Sequence, residues 1–203
     1  SLLALGAFVL VSRAKFPFKA PAEGIKAFSL DRFYLPQGTP LFVNIILITF
    51  SAGLYFSVPH PTGIFLMILG GLILAFLAEK FVFADADLKS QIIVGLVLLA
   101  SAELISFASQ EFAVEIVVPT LLGFCLGIIG SRFLLFYIKL AKHCQRGTSV
   151  NSFFLAWELG LSLGIGLGFL FHNLPARAHL DVDHPLYNMV ESGMLHYALL
   201  FTI

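Results

Sequence analysis

From Phe153 to Phe171 the chain runs for 19 residues with a single ionisable side chain, Glu158. A helix of about 20 apolar residues spans the hydrocarbon core of a bilayer. Four more runs of this kind lie upstream, at Leu41–Val58, Gly63 to about Ala78 (extending towards Phe83), Ile92–Ala108 and Val117–Leu140, the last starting as early as Phe112. They are continuous rather than alternating, which excludes a membrane β-barrel. Hydrophobic residues make up 59% of the 203, and charged residues 12%, about half the roughly 25% of soluble domains. With 22 Phe, a water-soluble fold would expose more apolar surface than it could cover. The expected class is all-α: a polytopic transmembrane helix bundle in the lipid bilayer. A net charge of zero argues against nucleic acid as a partner.

The loops sort by charge. If the spans alternate, one side carries Arg13–Gly38, Glu79–Ser90 and the segment after Leu140, and Arg132 and Lys139 lie near it. That side holds eleven of the twelve Lys and Arg residues, leaving Arg177 on the other. The bias places the first loop in the cytoplasm. Leu2–Val11 and Met194–Ile203 each read as about half a span, so the chain is expected to be a piece of a longer protein. Leu2–Val11 lacks the leading positive charge of a signal peptide. The expected divisions are residues 1–12, the end of a preceding span; 13–38, a cytoplasmic linker; and 39–203, the transmembrane bundle with its last helix truncated.

Several polar residues fall within the spans. Glu158 would sit about 8 Å inside its helix, where a carboxylate costs a few kcal/mol unless protonated or paired. Gly160, Gly164 and Gly168 form a stripe about 200° from one holding Glu158, Ser162 and Gly166. The helix would pack through its glycines and turn Glu158 to a cavity. Alternatively, a neighbouring helix or the interface satisfies the acid. Glu103 in the fourth span has the same two readings, and Glu115 is expected at the interface. Asn44, Ser51 and Tyr55 share one face of the second span, as a cavity wall or as interhelical hydrogen-bonding groups. Gly123 and Gly127 form a second close-contact pair. Arg132 is expected to snorkel to the interface.

Cys125 and Cys144 would be about 28 Å apart along one helix, too far for a disulfide. His179, Asp181, Asp183 and His184 match no zinc or calcium spacing and read as a solvated loop. No metal, cofactor or catalytic nucleophile is expected, so an intramembrane enzyme ranks last.

His143 to Thr148, then Asn151-Ser152 and Trp157 to Gly160, with Gly164 and Gly168 beyond, resemble the penultimate helix of the major facilitator superfamily and its preceding basic loop. The likeness is greatest to bacterial drug or sugar exporters. Ser29–Pro36, SLDRFYLP, is similar to their approach to the seventh helix. The resemblance implies the C-terminal six-helix half of a twelve-helix transporter in a bacterial inner membrane, with the N-terminal half missing. It implies alternating access and proton-coupled export of a small-molecule substrate. Glu158 would then be a cavity-facing acid, and Arg146 and Gly147 part of the cytoplasmic gate. The loop AEKFVFADADLKS departs from the family in lacking its glycine, aspartate and basic gate motif. The competing expectation is a non-transporting scaffold or sensor packed through its glycine stripes.

Overall fold

A computed structural model describes residues 33–84, 86–108 and 112–178, together with Val9 and Arg13, both helical. The chain divides into two compact units, Ser1–Leu30 and Asp31–Ile203. The Leu2–Val11 span apart from Val9, most of the 13–38 linker, the Ser109–Glu111 turn, the loop from His179 to His184 and the span from Met194 lie outside the described residues.

Every regular element in the described part of the second unit is helical. The helices are α1 (Thr39–Ser57), α2 (Ile64–Phe81), α3 (Leu88–Ala108), α4 (Phe112–Leu140) and α5 (Arg146–Ala178). Single 3₁₀ turns at Pro36–Gly38 and His143–Gln145 precede α1 and α5. Pro40 starts α1, where its missing N–H costs nothing. The backbone turns extended at Val58, before Pro59. All five helices are long and apolar enough to cross a membrane. Large apolar side chains stay exposed on their outer faces, among them Phe65, Leu66, Ile73 and Phe76 of α2. In lipid that surface is matched to its solvent. The chain is an integral, multi-pass membrane protein.

Two helix pairs form the frame. On α1 and α5 the contact register rises together: Gly160 lies against Ile46, Gly164 against Gly53, and Gly168 against Ser57. On α2 and α4 it also rises together, from Ile68 with Gly123 to Ala75 with Gly127. Parallel registers within each pair follow from spans that alternate in direction. The glycines permit backbone approach closer than any side chain would, the close-contact mode that joins helices in lipid. A Cβ on Gly164 would stand 2.9 Å from Gly53 Cα, and one on Gly123 2.9 Å from Ile68 Cα. Helix α4 is central and touches the other four. Its Cys125, Ile128, Ile129 and Tyr137 are almost wholly buried, and Cys125 is a free thiol.

The fifth apolar helix is longer than its apolar run, starting at Arg146 instead of Phe153 and ending at Ala178 instead of Phe171. At its start one face of the added polar turns is buried against the chain before α1. Ser149 and Ser152 have no exposed surface. The backbone N–H of Leu35 donates to Ser152 Oγ at 2.7 Å, and Tyr137 Oη donates to the Gly38 carbonyl at 3.1 Å. Helix α3 likewise starts at Leu88 rather than Ile92, because Gln91 is buried and closes the preceding loop. Its Nε2 donates to the carbonyls of Phe83 (3.0 Å) and Ala86 (2.8 Å).

Arg132 has an acidic neighbour. Its Nε lies 3.5 Å from Glu79 Oε1, a distance for charge attraction rather than a directed hydrogen bond. Ser131 Oγ donates a hydrogen bond to the same oxygen. Both charged side chains are about four-fifths buried, so the trio ties the end of α2 to α4. Glu79→Gln keeps an acceptor for Ser131 but leaves Arg132 without its counter-charge. The expected loss is about 1–3 kcal/mol, read as a lower denaturation midpoint in detergent. An unchanged midpoint would show that the pair contributes nothing.

Candidate functional site

A cleft of about 610 Å³ opens between α1, α3 and α4. On α3 its wall is Lys89, Ile93, Leu96, Ala100 and Glu103, steps of three and four residues that form one helix face. Helix α1 contributes Asn44, Leu47, Ile48 and Ser51, and α4 contributes Phe133 and Phe136. Most of the lining is apolar. The polar groups lie at separate heights.

The innermost polar pair joins two helices. Ser51 Oγ donates a hydrogen bond to Glu103 Oε1 across the cleft. Ser51 is buried and Glu103 half-buried. Ser51 lies twelve residues into α1 and Glu103 fifteen into α3. That is roughly 18 and 22 Å along the two axes, against a hydrocarbon core of about 30 Å. The carboxylate therefore lies within the span, about 8 Å short of the far end of α3. One hydroxyl donor offsets only part of the cost of holding it there as an anion, so the site favours a group that can take up and release a proton.

Towards the end where α1 and α3 begin, Asn44 and Lys89 line the cleft, both exposed. Neither makes a hydrogen bond or ion pair with another described residue. Lys89 is a cleft residue that sequence reasoning missed. The spacing from Lys89 to Glu103 along one helix face was the signal that could have found it.

The predicted α1 stripe divides. Asn44 and Ser51 face the cleft, whereas Tyr55 does not line it and is buried. The Tyr55 ring stacks on His60, with centroids 4.6 Å apart, and His60 Nε2 lies 2.8 Å from the Tyr55 carbonyl oxygen. Glu158 is exposed on α5 and does not line the cleft. The face it occupies, with Asn151 and Ser162 also exposed, turns away from the glycines that meet α1. Arg146 and Gly147 are exposed in the first turn of α5, and Glu115 is exposed in the first turn of α4. Among the described residues no group of three or more His, Cys, Asp or Glu side chains is placed to hold a metal.

Compared with known proteins, the chain matches no family model, no curated protein and no solved structure.

Proposed function

We propose that the chain is the C-terminal six-helix half of a secondary transporter of the major facilitator type, exporting a small molecule across a bacterial inner membrane by proton-coupled alternating access. The observation that carries this reading is the Ser51–Glu103 hydrogen bond within the cleft. An ionisable carboxylate there bridges two spans at membrane depth, facing a space large enough for a small solute. Protonation would remove the charge, changing both the strength of the bridge and the relative stability of two arrangements of α1 and α3. The missing half would supply the opposite wall. Glu103 is the coupling acid, with Asn44 and Ser51 beside the solute. Glu158 is a second acid at depth on a separate face.

The second reading, a scaffold or sensor, has the glycine contacts of α1–α5 and α2–α4 in its favour, since these serve helix association alone. The test uses the full-length protein in liposomes containing a pH-sensitive dye. Transport predicts that some solute in a chemically varied panel moves protons as it crosses, and that a protonophore uncouples the two. A scaffold predicts no solute-dependent proton movement with any member of the panel.

A further inference from the structure

The polar groups of the cleft are arranged by charge as well as by depth. We propose that the cleft binds an anionic amphiphile, with its head between Lys89 and Asn44 and its apolar body along Leu96 and Phe133. This rests on the cleft being the ligand site of the function proposed above, and it names the class of ligand.

Two lysines at the mouth favour an anion. Lys89 is a lining cation with no ion-pair partner among the described residues. A second hollow of about 260 Å³ adjoins the first at Phe136, which lines both, and contains Lys139, again unpaired among the described residues. The one carboxylate of the cleft is about 20 Å further along α3, engaged by Ser51. It is too far away to compensate the two lysines, and Asp87, exposed just before α3, offsets only one of their two positive charges.

Two features favour an amphiphile over a small polar anion. Between Lys89 and Glu103, the α3 wall is wholly apolar. Leu47, Ile93 and Leu96 line the cleft and are also among the exposed apolar residues, so its flank is open on the lipid-facing surface. A ligand can enter from the bilayer with its tail already in hydrocarbon and its head at the level where lysines meet the membrane surface.

The test measures saturable binding of radiolabelled dodecanoate to the full-length protein in phosphatidylcholine nanodiscs, above that of protein-free discs. Dodecyltrimethylammonium, with the same chain and the opposite charge, serves as comparator. Dodecanoate should bind saturably and more tightly than the cation. Lys89→Gln should weaken it about tenfold, the worth of one charge-assisted contact. Lys142→Gln, an exposed change outside the cleft, should leave it unaltered. Tighter binding of the cation, lost in Glu103→Gln, would overturn the proposal in favour of a cationic ligand. So would the absence of saturable dodecanoate binding, which would mean that protein fills the cleft, or equal losses in both lysine variants, which would mean diffuse surface attraction. Binding that follows the expected pattern without solute-coupled proton movement would sustain this inference and defeat the transport reading. Proton-coupled flux of another solute without dodecanoate binding would do the reverse.

Discussion

Glu103→Gln should abolish solute-coupled proton movement in liposomes while leaving the protein folded. Glutamine has nearly the same shape, and its amide oxygen can still accept the hydrogen bond from Ser51. Interhelical hydrogen bonds in membranes contribute about 0.6 kcal/mol on average, so the denaturation midpoint should move little. What glutamine cannot do is exchange a proton, and the loss should be complete rather than graded. Glu158→Gln is the informative comparison. Its side chain lies outside the cleft, so coupling should survive. Loss of coupling in Glu158→Gln with retention in Glu103→Gln would move the proton site to the outer face of α5.

Gly164→Ala should be a strongly damaging single-methyl change. The added Cβ would meet backbone on α1, 2.9 Å from Gly53 Cα and 3.0 Å from Leu54 N. Backbone cannot rotate aside as a side-chain terminus can, so α1 and α5 must separate along their whole contact. Overpacking of this kind costs about 1–3 kcal/mol. Gly166→Ala, half a turn away, places its methyl where nothing lies within 4 Å. It removes a helix-weakening glycine and should be neutral or stabilising by up to about 1 kcal/mol. Denaturation midpoints of the two variants in one detergent make the comparison. Equal effects would show that the α1–α5 contact does not hold the bundle together.

The five helices were legible because each is a continuous apolar run, and such a run has only one way to satisfy its backbone in lipid. Helix ends were less so. The first turns of α5 are polar in sequence, yet Ser149 and Ser152 are buried, because the chain from Phe33 to Gly38 folds against them. That contact joins residues more than a hundred positions apart and leaves no local pattern. The glycine stripes announced close approach without naming the partner helix. The two acids within spans show the same limit. Glu103 and Glu158 look alike in sequence, each a lone carboxylate in an apolar run. Their surroundings differ because Ser51 lies 52 residues from Glu103 and meets it only through the fold. Glu79 and Arg132 were each placed near the basic end of a span, but their pairing needed α2 and α4 to be neighbours.

The most direct measurement concerns access to the middle of the cleft. Ala100 lines it and is exposed there, about 18 Å along α3 from its start. A full-length protein carrying Ala100→Cys, with Cys125 and Cys144 changed to serine, would be treated in sealed vesicles of each orientation with a membrane-impermeant maleimide. Alternating access predicts labelling from both sides, with the two rates shifting in opposite directions when the coupling acid is fixed neutral by Glu103→Gln. Labelling from one side only, unchanged by Glu103→Gln, would contradict a transport role for this cleft.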